Sequence, residues 1–249
     1  MKSLIFAAGL GTRLKPLTDI MPKALVPVNG KPLLQHVLDR LEADGFDDIT
    51  INAHHFAEQI YDYVIHSSGL EEQPGPGVHI SDERDLLRDT GGGIMHAEGY
   101  LRGGGNFLVH NVDIFSNLDI PAFVASVRPD ALATLVVSDR PTSRYLLFDN
   151  DMRLRGWTNV KTGEVRSPFA DFDPSGCARL AFSGIHLISD KVYDIMKDGE
   201  FPEKFSIVDF YLSVAADHPV YGYVQPDYRM LDVGKLDSIA QAEAFLTSL

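Results

Sequence analysis

Hydrophobic and polar positions follow two different periods in the first 139 residues, and each change of period marks a new element. Short apolar runs that end in glycine or polar residues predict strands, and these runs lie at 2–7, 48–53, 77–82, 106–111 and 131–139. Apolar residues spaced three and four apart predict helices between them, at 32–45, 56–66 and 89–101, the last preceded by a glycine turn. Such alternation is typical of a parallel sheet with helices on both faces.

The rhythm changes from about residue 140. The segment 145–157 predicts a hairpin that turns at Asp149–Asp151, and 179–189 predicts a longer strand. Helices are predicted at 190–197, 206–216 and 235–248, with short strands near 219–224 and 229–232. Neither an internal repeat nor a linker interrupts the pattern. We therefore predict one domain over 1–249, with a mixed second half.

Composition narrows the class of protein. The chain has 249 residues, of which 45% are hydrophobic, enough to fill a core. No apolar stretch approaches the roughly 20 residues of a membrane-spanning helix. The opening "MKSLIFAAG" is too short an apolar run for a signal peptide, and Cys177 alone cannot form an intrachain disulfide. These features favour a cytoplasmic protein with no membrane partner.

The distribution of charge points to a small anionic ligand. A formal net charge of −13 argues against a general nucleic-acid binder, which would need a broad basic surface. Within the first 31 residues, however, only Asp19 opposes the cations Lys2, Arg13, Lys15, Lys23 and Lys31. A cationic cluster around a glycine turn suits an anion, although a solvated basic loop remains the alternative.

The opening segment "LIFAAGLGTRL" is a strand that leads into a glycine-rich and then cationic turn. A Walker A loop fails because Pro16 stands where Ser or Thr is required. The dinucleotide fingerprint fails because Leu14 replaces its third glycine and the second strand ends in Asn52 rather than an acidic residue. The remaining glycines still allow backbone N–H groups to approach phosphate, and Arg13 and Lys23 can bind it.

The motif "AAGLGTRLKPLT…PKALVPV" resembles the signature of the sugar-1-phosphate nucleotidyltransferases. Four further segments match the same family: "VPVNGKPLLQHVLDRL", "DTGGGI", Asn111-Val112-Asp113 and "MLDVG" at 230–234. Val112 departs from the family's usual glycine but leaves the carboxylate of Asp113 in place.

The resemblance implies a Rossmann-like α/β fold, the nucleotide-diphospho-sugar transferase fold, whose sheet is mixed and mostly parallel with helices on both faces. Residues 1–139 would form a nucleotide-binding half and 140–249 a sugar-binding half. It implies catalytic roles for Arg13 and Lys23, and Mg²⁺ held by Asp113 and Asp232. The implied nucleotide-binding residues are Ala8, Gly9, Gly11, Thr12, Arg13, Lys23, Thr90, Gly91 and Gly92. The implied sugar-binding residues are Asn111, Gly184 and Asp209.

The expected reaction joins a nucleoside triphosphate and a sugar 1-phosphate with release of pyrophosphate. The short chain and the "DTGGGI" loop resemble the N-acetylmuramate-1-phosphate uridylyltransferases of peptidoglycan recycling, which favours UTP and that sugar. Three consecutive glycines predict a flat backbone slot suited to a pyrimidine. Mannose-1-phosphate guanylyltransferase, other hexose-1-phosphate nucleotidyltransferases and a non-catalytic nucleotide-sugar sensor stay open, as do a monomer and a small homo-oligomer.

Overall fold

The computed structural model describes residues 1–66 and 77–248. Its strands are β1 Lys2–Phe6, β2 Pro27–Val28, β3 Lys31–Pro32, β4 Asp48–Ala53, β5 Val78–Asp82, β6 Asn106–Asn111, β7 Ile114–Ser116, β8 Ala133–Ser138, β9 Arg144–Phe148, β10 Leu154–Asn159, β11 Glu164–Arg166, β12 Ala178–Ser189, β13 Val220–Tyr223 and β14 Met230–Asp232. Its α-helices are α1 Leu33–Ala43, α2 Ala57–His66, α3 Asp89–His96, α4 Glu98–Leu101, α5 Ile120–Ala125, α6 Val192–Asp198, α7 Ile207–Val214 and α8 Leu236–Thr247.

The main sheet is mixed and has a parallel core. Its strands lie in the order β11-β10-β9-β12-β6-β1-β4-β5, and β8 and β13 pair beyond β12. The strands β6, β1, β4 and β5 are parallel, whereas β12 is antiparallel to its neighbours β6, β8 and β9. The predicted α/β fold class is confirmed, with the antiparallel part concentrated in the second half.

Alternate residues of the central strands pack against two different helical layers. On β1, Ile5 belongs to the core under α1, α2, α5 and α8, while Leu4 belongs to the core under α3, α4, α6 and α7. On β6, Leu108 and Val109 divide in the same way. Because side chains of a strand point alternately to its two faces, both faces of this sheet are covered.

Three features of the chain differ from the sequence-based expectations. First, β8 does not continue the parallel core but pairs with β12 and β13. Second, residues 89–101 form two helices. The glycine turn that the sequence predicts before the first helix is absent, because the three glycines lie inside α3. Third, the strands β2, β3, β7 and β11 and the helix α5 carry too few residues for a period to show. No helix among the described residues is long and apolar enough to cross a bilayer.

Candidate active site

Four charged side chains predicted from distant parts of the sequence meet at one place. The ammonium group of Lys23 donates a hydrogen bond to Oδ2 of Asp113, and Nη2 of Arg13 lies 3.9 Å from Oδ2 of Asp232. The antiparallel pair β7–β14 joins the two aspartates, since Val233 N–H donates to the carbonyl of Asp113 at 2.8 Å. The structure therefore brings the predicted catalytic and metal-binding residues together.

The charges around Asp232 influence the ionisation of its carboxyl group. Partial burial raises the pKa of Asp232, and the negative charge of Asp113 raises it further, while Lys23 and Arg13 lower it. A pair of close carboxylates favours a shared cation, and carboxylate oxygen is a ligand that Mg²⁺ prefers. Within the described ranges, no group of three or more acidic, histidine or cysteine side chains is placed so that it could hold a metal ion. The donor set fits a Mg²⁺ ion that also takes phosphate and water ligands.

The loop after β1 is held in shape by local contacts. Gly11 has a φ of 61°, and a Cβ atom there would lie 2.8 Å from Cγ2 of Thr18. The carbonyl of Gly11 accepts hydrogen bonds from Thr18 Oγ1 at 2.9 Å and from Leu14 N–H at 2.8 Å. These contacts close the 3₁₀ turn Thr12–Leu14, which carries Arg13 to the carboxylate pair.

A buried amide anchors the start of this loop. Oδ1 of Asn52 accepts from the N–H groups of Ala7 and Ala8 at 2.7 and 3.2 Å, and its Nδ2 donates to Oε1 of Glu83 at 2.8 Å. Burial raises the pKa of Glu83. The N–H of Ala8 is thus engaged within the protein. Sequence reasoning used Asn52 only to argue against NAD and missed Glu83, since neither belongs to a phosphate motif.

A cavity of about 450 Å³ opens beside this anchor. Its walls include predicted site residues from both parts of the signature, from the first turn of α3 and from the end of β6 and the segment after it. These residues are Ala8, Gly9, Lys23, Thr90, Asn111 and Asp113. Glu83, Asn52 and Lys204 also line it. The cavity lies beyond the carboxyl ends of β1, β4 and β6, where open α/β sheets bind their ligands.

The glycines of α3 do not form the expected slot. The N–H groups of Gly91 and Gly92 donate to the carbonyl of Phe205 at 2.9 and 3.3 Å, so they are not free to read a base. A Cβ on Gly92 would lie 2.1 Å from the carbonyl oxygen of Glu203, and one on Gly91 would lie 2.3 Å from the ring of Phe205. These glycines therefore allow close packing of α3 against 203–205, and Asp89 and Thr90 are the residues of the motif that line the cavity.

A second cavity, of about 690 Å³, has one face of the β9–β10–β11 sheet as its floor. Two rows of cross-strand neighbours lie on this face because alternate residues share a side. The rows are Arg144–Asn159–Glu164 and Leu146–Trp157–Arg166. Helix α7 contributes Val208 and Asp209 to the opposite wall.

The predicted sugar-binding residues lie in different places: Asn111 lines the first cavity, Asp209 lines the second, and Gly184 contacts Asn111. Gly184 has a φ of 76°, and a Cβ there would lie 2.5 Å from Nδ2 of Asn111, so these two residues are in contact. Asp209 instead lines the second cavity and accepts a hydrogen bond from Nη1 of Arg166 at 2.7 Å. Asp89, which has a φ of 60°, lines both cavities and marks their junction.

A third cavity, of about 750 Å³, lies on the other side of Arg140. Arg140 and Thr142 line both the second and the third cavity. Arg13 and Asp232 also line the third cavity, together with Lys235. The three cavities adjoin one another, and the charged residues Lys23, Asp113, Arg13 and Asp232 lie between the first and the third. Such an arrangement suits a reaction between two phosphorylated ligands.

The profile of one protein family, described as nucleotidyl transferase, matches residues 2–248 of the chain. The chain belongs to this family. It is therefore an enzyme that transfers nucleotidyl groups, and the proteins to which it is similar support sugar phosphates as its substrates.

Two curated relatives and one solved structure show the range of this enzyme's likenesses. The chain is 33% identical over 98% of its length to N-acetylmuramate alpha-1-phosphate uridylyltransferase of Caulobacter vibrioides, 96% of which is covered. It is 47% identical over 93% of its length to choline-phosphate cytidylyltransferase of Streptococcus pneumoniae, 97% of which is covered. A putative glucose-1-phosphate thymidylyltransferase of Bacillus anthracis shares the fold, with a TM-score of 0.76 at 19% identity over 100% of this chain and 96% of that one.

Proposed function

We propose that this nucleotidyl transferase moves the uridylyl group of UTP onto N-acetylmuramate 1-phosphate and releases pyrophosphate, in the cytoplasm and in the recycling of peptidoglycan sugars. The observation that carries the reaction is the meeting of four charged side chains between the first and the third cavity, namely Lys23, Asp113, Asp232 and Arg13. The relative from Caulobacter vibrioides, matched over nearly the full length of both chains, supports this choice of nucleotide and sugar.

In the proposed reaction an oxygen of the sugar 1-phosphate attacks the α-phosphorus of UTP. The bond from that phosphorus to the bridging oxygen of the β-phosphate breaks, and pyrophosphate leaves with the bonding electrons. We assign the first cavity, of about 450 Å³, to the nucleotide and the second, of about 690 Å³, to the sugar. Lys23 lines the nucleotide cavity and would bind the α-phosphate, while Arg13 lines the third cavity and would bind the departing phosphates. Positioning and charge neutralisation are the main contributions such an active site makes.

Asp113 and Asp232 would hold Mg²⁺, which supplies charge neutralisation to the phosphates. Before substrate binds, the ammonium group of Lys23 compensates the charge of Asp113. Both side chains are mostly buried, with 12% of Lys23 and 14% of Asp113 exposed. Their positions are therefore fixed before the ligands arrive, as preorganised electrostatic stabilisation requires.

Guanylyl transfer to a hexose 1-phosphate is the second candidate function. The chain is 32% identical over 50% of its length to a probable mannose-1-phosphate guanylyltransferase of Arabidopsis thaliana, 35% of which is covered. This likeness favours the second candidate.

A pyrophosphate-release assay of four nucleoside triphosphates against several sugar 1-phosphates tests both candidates. We expect the highest turnover with UTP and N-acetylmuramate 1-phosphate, and at least about a tenfold preference for UTP over GTP, because unpaired buried polar groups disfavour the wrong base. Equal use of GTP and UTP would contradict the uridylyl assignment and support the second candidate. Turnover with CTP and choline phosphate alone would contradict both.

A further inference from the structure

Three arginines line the cavity assigned to the sugar, and their charges are compensated differently. The guanidinium of Arg166 pairs with Asp209 at 2.7 Å and lies 3.7 Å from Glu164. It also lies over the ring of Trp157, 4.2 Å from the ring centre. Arg140 and Arg144, by contrast, form no ion pair with any carboxylate of the described residues.

Arg144 lacks an ion-pair partner because of the register in which β9 pairs with β10. It is the first residue of β9, and its N–H is bonded to Oγ1 of Thr142 at 3.4 Å. Its cross-strand neighbour is the neutral Asn159, and Glu164 lies one strand further away in the same row. Strands are about 4.8 Å apart, so two strand spacings separate Arg144 from that carboxylate. One end of the cavity floor therefore carries an uncompensated cation.

Arg140 lies at the border between the sugar cavity and the third cavity. Its Nη2 donates to the carbonyl of Phe182 at 3.0 Å, which holds the side chain in place. Its Nε is buried and has no hydrogen-bond partner. A buried donor without a partner is costly, so this group is poised for an acceptor supplied by a ligand.

We propose that Arg144, with Arg140 beside it, forms a subsite for a carboxylate on the sugar, so that the acceptor is an acidic sugar 1-phosphate. The inference rests on the proposed function and names the residue that selects the sugar. Hydroxyl groups alone would leave both guanidinium charges uncompensated, whereas a guanidinium can bind a carboxylate through two parallel hydrogen bonds. N-acetylmuramate 1-phosphate carries such a carboxylate in the ether at carbon 3, and N-acetylglucosamine 1-phosphate differs from it only by lacking that ether.

The test compares kcat/KM for these two sugars, with UTP, in the wild-type enzyme and in R144Q, R144K and R179Q. Arg179 is the matched control because it is an exposed arginine of β12 and does not line either cavity. We expect R144Q to lower kcat/KM at least about tenfold with N-acetylmuramate 1-phosphate, the scale of one charged hydrogen bond, and less than about threefold with N-acetylglucosamine 1-phosphate. R144K should recover part of the loss, and R179Q should change neither value.

Binding of UDP to each variant, measured by calorimetry, shows whether the nucleotide half stays folded. An equal loss with both sugars, or no loss with either, would overturn the carboxylate subsite while leaving the proposed reaction in place. A wild-type enzyme that uses both sugars equally well would instead contradict the proposed acceptor, and the subsite with it.

Discussion

Two ion pairs, one in the proposed nucleotide-binding half (1–139) and one spanning two elements of the proposed sugar-binding half (140–249), are buried to different extents. In the nucleotide half, Lys23 and Asp113 are mostly buried, and the hydrogen bond from Asn52 to Glu83 is fully buried. In the sugar half, Arg166 and Asp209 form an ion pair that is 41% and 55% exposed. In the proposed function, the buried pair takes part with every acceptor, whereas the exposed pair lies in the cavity proposed for the sugar.

The difference follows from the architecture of the sheet. The nucleotide half uses the carboxyl ends of parallel strands, where loops from β1, β4 and β6 converge over a buried core. The sugar half uses the face of an antiparallel sheet, β9–β10–β11, whose rows are open to the cavity. Charges at converging strand ends are held by several neighbours, whereas charges on a sheet face depend mainly on cross-strand neighbours.

Removing the metal-binding carboxylate should have the largest effect and should not depend on the sugar. Asp113→Asn keeps the size of the side chain but removes the charge that faces both Lys23 and the proposed Mg²⁺. We expect turnover to fall about 10³-fold or more with every acceptor, since a metal ion provides several kcal/mol of charge stabilisation. Asp217→Asn is the control and should change turnover little, because Asp217 is exposed and lines none of the three cavities. A loss confined to one sugar would break the division of labour between the halves.

The next largest effect should come from Arg13→Ala. If Arg13 binds the departing phosphates, its charge matters most as the transition state forms. Turnover should fall about 10²-fold, the scale for one preorganised donor. Affinity for the nucleotide-sugar product, which lacks pyrophosphate, should change much less when measured by calorimetry. Lys15→Ala is the matched control, because Lys15 belongs to the same loop but is exposed and paired with Asp19. Equal losses of turnover and product affinity would indicate that Arg13 serves loop folding instead.

The contrast in burial predicts a contrast in stability. Asn52→Ala would leave the N–H groups of Ala7 and Ala8 and the carboxyl of Glu83 without their buried partner. We expect the free energy of unfolding to fall by about 2–4 kcal/mol, from urea titrations, because unsatisfied buried groups are costly. Asp209→Asn removes an exposed ion pair and should cost less than about 1 kcal/mol. Equal losses would remove the distinction between the two halves.

Two buried histidines lie on the adjacent strands β6 and β12, and they should make the free energy of unfolding depend on pH. Burial lowers the pKa of His110 on β6 to about 4 and of His186 on β12 to about 3, from 6.5. Between pH 6.5 and these values the unfolded chain binds protons that the folded chain does not, so the free energy of unfolding should decrease as pH falls through this window. The raised pKa of Glu83 acts in the opposite direction at the lower end.

The measurement is the urea midpoint between pH 7.5 and 5, in the wild-type chain and in His186→Gln. The substitution removes one titrating group beside the hydroxyl of Tyr211, which lies 2.7 Å from Nδ1 of His186. The variant should lose less stability than the wild type as pH falls. An unchanged slope would show that His186 does not contribute.

Local sequence was enough to predict the parallel core and the glycine-rich, cationic loop after β1. The strand β1, the loop glycines and the two cations lie within 23 consecutive residues, so their relation follows from chain geometry and from residue chemistry. Asp113 was identifiable from the motif Asn111-Val112-Asp113, which lies at the end of a predicted strand. The site of Asp232 was identifiable from its motif, although its contact with Asp113 is made by the pair β7–β14, which was not predicted.

The remaining features depend on contacts between distant residues. The sequence of α3 predicts that its glycines form a slot for a base. In the structure, the N–H groups of Gly91 and Gly92 donate instead to the carbonyl of Phe205, which is more than a hundred residues away in the chain. The floor of the sugar cavity depends on the register of β9, β10 and β11, and a shift of one residue would turn Arg144 to the other face. The sequence by itself therefore determined the class of fold and the chemistry of the loop. Only the tertiary structure decided which backbone groups are free and which arginine lacks a partner, because both are set by packing and strand register rather than by local pattern.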